Sequence, residues 1–573
     1  MTLRSLAWPS LRPEDALLLC CARTRLNSGQ AERVRALLRE EIDWFYLLET
    51  ALQHEVGSLL YWQLQRTCPE GVPQDCKDFL RVLFEDRGRR ILYLTGQLFE
   101  ILETFEASGI LAVPYKGPVL ASLAYGNLAL RDFIDLDLVV RPEDIPKAAE
   151  LLIGQGYRPG FRLAWAQAAS SSKVPGQYLF TRDADSCVVE LHTPLTLRYY
   201  PAPLDLDRLA RRLQPVSLGR RTIRTFSPED SLTILSVHNA KHFWERLKWI
   251  CDLVELVQIP QGINWELAWE EASRLGCERM LFLGLYLAND LLEAPLPEDV
   301  LHRVRASRAV ESLAAQVRER LFRQSPARRG VLQRLFFRFR MREGLRDGLR
   351  YCLRLATSPT ETEWGLLRLP APLEPLYSVL RPFRLVWEHG WGLMGRPAPD
   401  LAPFVPTPPA VVERMLTLGE VGPSDVLYDL GCGDGRIVVI AAKRFGARAV
   451  GVDIDSRRIR QAKANARRHR VQHRVRFVQQ DAKTVDLSEA TVVTMYLSLP
   501  GNFKLRQRLL GRLQPGARIV SRDFEMPGWL PEKSERVEMP GGRSTTLYMW
   551  RVGAVLDRPA ADRQLSIPVS LRQ

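Results

Sequence analysis

The chain has 573 residues, of which 46% are hydrophobic and 25% charged, and its formal net charge is +14. This length exceeds what one hydrophobic core supports, so about two to four domains are expected. No apolar run approaches the ~18 residues that cross a bilayer, and no secretory signal segment is visible. The nine cysteines contain no C-x-x-C pair, which argues against a zinc module and indicates reduced thiols in a cytoplasmic protein.

The excess of positive charge favours an anionic partner, such as nucleic acid, phospholipid or an acidic protein. An arginine-rich composition that reflects the genome explains the same charge equally well. No clear nucleic-acid-binding motif is present. The charge by itself therefore does not assign a partner.

The pattern of apolar residues divides the chain into four segments. Residues 1–105 are predicted to be helical, because 31–52 and 81–102 carry apolar residues at helical spacing. Residues 106–325 are predicted to form a mixed domain with a helical extension. Its expected elements are strands at 111–113, 133–140 and 186–191, helices at 119–125 and 143–154, and a helical stretch over 231–322.

Residues 326–400 form a basic segment, and residues 401–573 form the last domain. The stretch 330–356 is predicted to be a basic amphipathic helix, which either lies on an anionic membrane surface or acidic partner or belongs to a domain with its arginines in water. The second interpretation is favoured. A proline cluster marks the linker into the last domain, at positions 397, 399, 403, 406, 408 and 409.

Two carboxylates in the mixed domain are expected on one face of a strand. Asp135 and Asp137 are two residues apart, and side chains alternate along a strand with a period of two. Glu190, on the strand predicted at 186–191, is a candidate third carboxylate. Such a trio can hold Mg²⁺ for catalysis at a nucleoside triphosphate, with Lys116 and Gly117 holding phosphate at a helix start. The alternative is a solvated sheet edge, and the metal site is favoured.

This segment resembles the uncharacterised bacterial nucleotidyltransferases of the polymerase-β type, over most of residues 30–390. The matching motifs are Tyr115-Lys116-Gly117, Tyr125-Gly126, Leu130-Arg131, Asp135-Leu136-Asp137-Leu138-Val139-Val140-Arg141-Pro142, Gly156-Tyr157, Glu190-Leu191-His192, His238, Lys241-His242 and Leu247-Lys248-Trp249-Ile250-Cys251-Asp252. The resemblance implies catalytic and metal-binding roles for Asp135, Asp137 and Glu190. One departure is that Lys116-Gly117 replaces the Gly-Ser pair of the wider superfamily. His238, His242 and Asp252 are expected more often as core residues than as nucleotide contacts.

The last domain contains a glycine-rich loop between a strand and a helix. Its sequence is Asp429-Leu430-Gly431-Cys432-Gly433-Asp434-Gly435-Arg436, after the apolar strand at 426–428. Glycines at this point allow the backbone to approach a nucleotide-like ligand closely. Asp453 ends the next strand, where a ribose diol needs a carboxylate, and Asp481 follows a third strand, where it can accept from an adenine amino group.

The remaining pattern predicts a fourth strand at 491–496, a helix at 504–513, a fifth strand at 517–521, and a terminal hairpin at 536–539 and 545–550. With the glycine loop and its downstream acids, the segment resembles class I S-adenosylmethionine-dependent methyltransferases over about the last 175 residues. It is similar to the small bacterial and non-SET protein-lysine enzymes. That resemblance implies S-adenosyl-L-methionine as cofactor and a seven-stranded Rossmann-like α/β sheet.

The same resemblance places Thr407 over the methionine end of the cofactor, and Tyr496 and Asn502 at the acceptor site. Tyr496 is equally well explained as a core aromatic residue at a strand end. Cys432 is expected to fill a small space in the loop, since no base accompanies it. The N-P-P-Y loop of adenine- and glutamine-modifying enzymes is missing. The expected acceptor is therefore a protein lysine or another amine.

Together these patterns predict a multidomain protein: an α+β nucleotidyltransferase fold with helical flanks, followed by a class I methyltransferase. The predicted function is a bifunctional transferase. In the alternative, the N-terminal module is a non-catalytic binding or anchoring domain. A third hypothesis, a nucleic-acid-binding protein with vestigial enzyme folds, predicts tight, salt-sensitive nucleic-acid binding and no turnover.

Overall fold

The computed structural model describes residues 11–159, 177–182, 185, 187–193, 205–322, 331–357, 376–382, 407–497, 499–526, 529, 531–539 and 543–553. The chain divides into two compact units, Met1–Gly395 and Arg396–Gln573. Two predicted features lie outside the described residues: the proline cluster at 397–406 and the hairpin turn at 540–542. Among the described helices, none is both long and apolar enough to cross a membrane.

The first unit is mainly helical. The helix predicted at 31–52 is in fact two helices, because the Asp43 side chain caps a new helix by accepting a hydrogen bond from Tyr46 N at 3.0 Å. The prediction at 81–102 lies within a single 34-residue helix. The helices of this unit are Pro13–Cys21, Ser28–Leu37, Trp44–Gln53, Gly57–Thr67, Gln74–Ala107, Gly117–Leu120, Ile145–Gly154, Leu206–Ala210, Pro228–Lys241, Leu247–Val257, Trp265–Leu275, Glu278–Leu292, Glu298–Arg305, Arg308–Leu321, Val331–Arg340 and Leu345–Thr357.

A five-stranded sheet lies within this helical unit, in the order β1-β2-β5-β4-β3. Its strands are β1 Val113–Pro114, β2 Leu136–Val139, β3 Arg158–Pro159, β4 Gln177–Arg182 and β5 Cys187–His192. Strands β2 and β5 are parallel, and their register pairs Asp137 with Glu190. Leu136, Leu138 and Leu191 pack into the core beneath the sheet. The strands predicted at 111–113, 133–140 and 186–191 are therefore present, with shorter or shifted bounds.

A two-stranded hairpin follows, with β6 at Gln214–Leu218 and β7 at Arg221–Thr225. No strand is predicted there from the sequence. The alternation of buried residues, Val216 and Leu218 on one strand and Ile223 and Thr225 on the other, is a strand signal. Arginines interrupt it, and the apolar runs are too short to stand out.

A buried ion pair connects the loop before β2 to the helix Leu247–Val257. The Arg131 guanidinium donates to both oxygens of Asp252, at 2.7 and 2.9 Å. The Tyr125 hydroxyl donates to the same carboxylate at 2.7 Å. Asp252 thus has a structural role, as expected from the sequence.

The basic helix predicted at 330–356 is broken into Val331–Arg340 and Leu345–Thr357. The second helix leaves three leucines at positions i, i+4 and i+8 exposed: Leu345, Leu349 and Leu353 are 74%, 64% and 65% accessible. Contact of this segment with an acidic partner or a membrane surface stays a prediction.

The second unit contains a seven-stranded sheet in the order β10-β9-β8-β11-β12-β14-β13. Its strands are β8 Val426–Leu430, β9 Arg448–Asp453, β10 Val475–Gln479, β11 Val492–Met495, β12 Arg518–Arg522, β13 Lys533–Met539 and β14 Arg543–Arg551. The first five are parallel, while β14 pairs antiparallel with both β12 and β13. This confirms the predicted seven-stranded sheet and its reversed final hairpin.

The helices of this unit are Pro409–Leu418, Arg436–Arg444, Ser456–Arg468 and Leu499–Arg512. Separate apolar clusters cover the sheet, one including Leu427 and Ala449 and the other Tyr428 and Val450. The strand order reverses between β8 and β11. In open parallel sheets a ligand crevice forms at the carboxyl ends of strands beside such a reversal.

We expect Asp252→Ala to lower the free energy of unfolding of the first unit by about 3–5 kcal/mol, because Arg131 would stay buried without a counter-ion. Calorimetric unfolding of the full chain measures this as a shift of one transition. Asp207→Ala is the matched control. It removes an exposed ion pair, in which the Asp207 side chain is 66% accessible and the Arg141 side chain 34%. This variant should change the free energy of unfolding by less than about 1 kcal/mol. Equal effects of the two variants would contradict the buried role of Asp252.

Candidate functional site

The glycine loop of the second unit is held in a backbone conformation that favours glycine. Gly431, Gly433 and Gly435 have φ of +84°, +55° and +77°, in the left-handed region that side-chain-bearing residues rarely adopt. Gly431 N and Cys432 N both donate to Val452 O, at 2.9 and 3.0 Å. The loop is therefore joined to the end of β9.

Asp453 completes this connection through its side chain. Its Oδ2 accepts from Gly433 N at 2.8 Å, and its Oδ1 accepts from Asp455 N at 2.9 Å. Gln480 N donates to the Asp453 carbonyl at 3.1 Å, which brings the end of β10 to the same edge. Asp481 follows there, with Oδ1 accepting from Lys483 N at 2.9 Å. The structure thus brings together the loop and both downstream acids.

The glycines differ in which neighbouring atoms an added Cβ would meet. A Cβ at Gly435 would lie 2.8 Å from Ala462 Cβ and from Phe477 Cε1, whereas one at Gly431 would lie 3.0 Å from Leu497 Cδ2. The absence of a side chain at Gly435 thus serves the packing of the loop against the helix Ser456–Arg468 and β10.

Asp429 has one carboxylate oxygen without a partner among the described residues. Its Oδ1 accepts from Thr494 Oγ1 at 2.9 Å, while its buried Oδ2 accepts no hydrogen bond from them. Burial, reinforced by the charges of Asp453 and Asp434, raises the pKa of Asp429 to about 7. Thr494 was not predicted as a site residue. It lies opposite Asp429 on the parallel strand β11, a position that register alone reveals.

Cys432 is buried in the loop, and burial followed by the charge of Asp429 raises the pKa of its thiol well above its ordinary value. A protonated, enclosed thiol is a poor nucleophile. Its surroundings fit the expected role as a small space-filling residue.

Thr407 is anchored by two arginines that were not predicted. Its carbonyl accepts from Arg436 Nη1 at 3.0 Å, and its hydroxyl oxygen accepts from Arg522 Nη1 at 3.3 Å. Arg436 in turn holds the Asp434 carboxylate at 2.9 and 2.6 Å. The segment before the helix Pro409–Leu418 is thereby fixed to the glycine loop and to the end of β12.

Tyr496 lies just after β11, between an aromatic ring and a guanidinium. Its ring stacks with Phe524 at 6.5 Å between centroids, and Arg522 Cζ lies 4.2 Å from its centroid. Burial raises the pKa of Tyr496. Arg522 is oriented by Thr545 Oγ1 at 3.0 Å and by the Asp523 carboxylate at 3.2 Å.

Asn502 is fully buried and holds the end of β12 and the residues after it by hydrogen bonds. Its Nδ2 donates to Ser521 Oγ at 3.0 Å and to Phe524 O at 2.9 Å. It therefore positions the residues that follow β12. Its buried Oδ1 has no hydrogen-bond partner among the described residues, and its place at the acceptor site stays a prediction.

The carboxylates of the first unit form a second cluster, on β2 and β5. One ligand atom each from Asp137, Glu190 and His192 lie within 4.8 Å of one another. His192 Nε2 is 2.9 Å from Asp137 Oδ1 and 3.5 Å from Glu190 Oε2. His192 was noted from the sequence only as part of a family motif, although it ends the same strand as Glu190.

Lys116 lies in this cluster. Its Nζ donates to Asp137 Oδ1 at 3.0 Å. Burial would raise the pKa of Asp137, but Lys116 and His192 outweigh it and lower the pKa. Burial and then the charge of Asp137 raise the pKa of Asp135. Gly117, with φ of +54°, begins only a four-residue helix, and the rest of the helix predicted at 119–125 is a π-helical turn.

Comparison with known proteins finds similarity for part of each unit. Residues 40–293 match the family model described as uncharacterised nucleotidyltransferase, and residues 429–533 match the ANTKMT methyltransferase domain. A protein-lysine N-methyltransferase of Saccharolobus islandicus is 47% identical over 152 residues, which cover 26% of this chain and 94% of that protein. The adenine nucleotide translocase lysine N-methyltransferase of Mus musculus is 33% identical over 130 residues, which cover 22% of this chain and 56% of that protein.

A solved structure, an RNA methyltransferase from Salinibacter ruber in complex with S-adenosyl-L-homocysteine, is 46% identical and covers 27% of this chain and 100% of its own. Its TM-score of 0.25 is too low to support a conclusion. The fold and the sequence relatives define the C-terminal domain as an S-adenosylmethionine-dependent methyltransferase. Through that domain the chain belongs to the family of its Saccharolobus islandicus relative, and residues 40–293 match the model of the uncharacterised nucleotidyltransferases.

The raised pKa of Asp429 predicts a pH-dependent stability. Between pH about 4 and 7 the folded state holds a proton that the unfolded state has lost, so stability falls as pH rises through this window. The fall is on the order of 4 kcal/mol as an upper bound. Unfolding of the cofactor-free protein at pH 5 and pH 8 should show a smaller loss for Asp429→Asn than for wild type. Parallel losses would contradict the assignment.

Proposed function

We propose that the C-terminal domain methylates the ε-amine of a lysine in a protein. The observation that carries this proposal is the similarity to a protein-lysine N-methyltransferase over 94% of that protein. The adenine nucleotide translocase enzyme, also named for a lysine substrate, supports it. The half-buried aromatic pair Tyr496 and Phe524, with the buried Arg522, supplies a candidate acceptor site at the ends of β11 and β12.

The residues at the sheet edge fit S-adenosylmethionine. Asp453 and Asp481 would accept from the ribose and the adenine, and the backbone from Gly431 to Gly435 would lie beneath the nucleoside. The unpartnered Asp429 Oδ2 is an acceptor suited to the cofactor's amino group, with Thr407 at the methionine end. The cofactor supplies a methyl group on an already activated sulfonium.

The protein's contribution to methyl transfer is alignment and the exclusion of water. The stacked pair Tyr496 and Phe524 forms an apolar wall, and Arg522 fixes its orientation. Asp523 is paired with Arg522 and accepts from Thr545, so it is not a free base. Solvent is therefore the proposed destination of the proton that a lysine acceptor must lose.

The acceptor is tested by incubating the full chain with isotopically labelled S-adenosylmethionine and cell extract, followed by mass spectrometry. We expect the label on lysine ε-nitrogens of protein. Label on RNA or on a small molecule alone would contradict the lysine proposal and leave methyl transfer intact.

Gly433→Arg is the inactive control, because its side chain would fill the crevice. Asp453→Ala should weaken S-adenosyl-L-homocysteine binding at least about tenfold through the lost hydrogen bonds.

We also propose that the N-terminal domain binds a nucleoside triphosphate with Mg²⁺ and transfers a nucleotidyl group. The supporting observation is the convergence of Asp137, Glu190 and His192 at neighbouring positions on β2 and β5. Carboxylate oxygens suit Mg²⁺, which would activate a hydroxyl and stabilise leaving pyrophosphate. All of the hydrogen bonds described for Asp137 end on Oδ1, so its Oδ2 is available as a ligand.

His192 is better suited to orient the carboxylates than to bind Mg²⁺, which prefers oxygen ligands. Asp135, which directly precedes β2, would complete the ligand set. The alternative, a non-catalytic binding or anchoring domain, requires the same fold without metal-dependent nucleotide binding.

Asp135→Asn/Asp137→Asn should abolish the Mg²⁺-dependent part of ATP or GTP binding, because the ligands lose their negative charge. Calorimetry with and without Mg²⁺ measures this in the full chain. The control is Asp207→Asn, an exposed carboxylate in the same unit. Unchanged Mg²⁺-dependent binding in the double variant would remove the metal-site assignment.

We propose a cytoplasmic location, supported by nine free cysteines, eight of which are buried. An acidic partner or anionic membrane surface is proposed for the helix Leu345–Thr357, supported by its exposed leucines and its neighbouring arginines, Arg346, Arg350 and Arg354.

A further inference from the structure

A group of nitrogen-bearing side chains faces the carboxylates of the N-terminal domain. It comes from the end of the helix Pro228–Lys241 and the residue after it, and consists of His238, Lys241 and His242. All three are half-buried, so part of each side chain is accessible to a ligand. We call them the basic face.

Lys241 connects the basic face to the carboxylates through one amide. Its Nζ donates to Gln177 Oε1 at 3.2 Å, and Gln177 Nε2 donates to Glu190 Oε2 at 2.6 Å. The ammonium therefore lies near the carboxylate cluster but is bonded to a neutral group.

The two imidazoles of the basic face are close to each other. Their ring centroids are 4.8 Å apart, and both rings contact Trp249, at 6.1 Å for His238 and 5.3 Å for His242. Within the described part of the chain, neither imidazole makes a hydrogen bond. Polar groups in a protein interior usually have a hydrogen-bond partner. Because these imidazole nitrogens have none in the described chain, they are available to a ligand.

The surroundings of the basic face disfavour positive charge on it, because burial and the neighbouring cations outweigh the nearby carboxylates. Burial and then Lys116 lower the pKa values of Lys241 and His238, while burial and then Lys241 lower the pKa of His242 to about 4. Glu190 and Asp137 act in the opposite sense on Lys241. Arg338 adds a further cation: its Nη2 donates to Lys241 O at 3.2 Å, and its Cζ lies 4.5 Å from the Phe243 ring centroid.

We propose that His238, Lys241 and His242, with Lys116 and Arg338, bind the oligophosphate group of the substrate. This inference rests on the proposed nucleotide binding by the same domain and assigns the phosphate contacts within it. The carboxylates would hold the metal on one side of the oligophosphate, and the basic face would bind its oxygens on the other. A lysine ammonium binds phosphate as a compact charge, and imidazoles donate to the remaining oxygens.

The short helix at Gly117 agrees with phosphate binding by the basic face. A four-residue helix offers little dipole for an anion, so the phosphate contacts must come from side chains. The helix Pro228–Lys241 supplies them at its last turn.

The test uses inorganic tripolyphosphate with Mg²⁺ as the probe, because it lacks a base and sugar, and calorimetry on the full chain. Lys241→Met should weaken binding at least about tenfold, and Lys241→Arg should restore most of it because the charge returns. His242→Gln should weaken binding by a smaller factor. Lys147→Met, which removes an exposed lysine that donates to Ser108 O, is the matched control and should bind as wild type does.

Thermal unfolding of each variant shows whether the fold is retained. If Lys241→Met does not fold, tripolyphosphate binding by His242→Gln tests the inference. Wild-type affinity in folded Lys241→Met and His242→Gln would overturn the inference, and so would a wild-type chain that binds no tripolyphosphate. Neither result would contradict Mg²⁺-dependent ATP or GTP binding, which the double variant Asp135→Asn/Asp137→Asn tests separately. The proposed function and this inference can therefore fail separately.

Discussion

The carboxylate of Asp453 closes the glycine loop, and the proposed S-adenosylmethionine site depends on that contact. It accepts from Gly433 N and Asp455 N, so the loop after β8 and the turn after β9 have fixed relative positions. The left-handed glycines make the contact possible, because residues with a Cβ rarely adopt their backbone conformation. Asp429, Thr407 and Tyr496 are arranged around this closed loop by hydrogen bonds and stacking that extend to β11 and β12.

The proposed N-terminal site is organised by a different constraint, the burial of neighbouring carboxylates that repel one another. Asp137 is only 5% accessible, and it is stabilised by Lys116 and His192 on a single oxygen. For Asp135, burial together with the charge of Asp137 outweighs the more distant Lys116 and Lys248 and raises its pKa. On the opposite side, the positive charge of Lys116 opposes that of Lys241 and lowers its pKa. An oligophosphate with a divalent cation would relieve both kinds of repulsion, which relates the two halves of the site.

Much of the fold could be predicted because periodicity and glycine spacing are local signals. The succession of strands along the last domain, its reversed hairpin and the positions of Asp429, Asp453, Asp137 and Glu190 at strand ends or on strands follow from them. Strands β3, β4, β6 and β7 were not predicted. What the sequence missed depends on contacts between distant residues. Arg436 and Arg522 meet Thr407 only in the folded chain, and Thr494 meets Asp429 only through sheet register. The split of the helix predicted at 31–52 depended on one capping aspartate within a continuous apolar pattern.

The most direct test is a crystal structure of the full chain with S-adenosyl-L-homocysteine. The nucleoside should lie at the carboxyl ends of β8 and β9, with its ribose hydroxyls donating to Asp453 and its amino acid end near Asp429 and Thr407. An empty crevice beside residues 429–453 in crystals that hold the compound, or the compound bound elsewhere on the chain, would contradict the account.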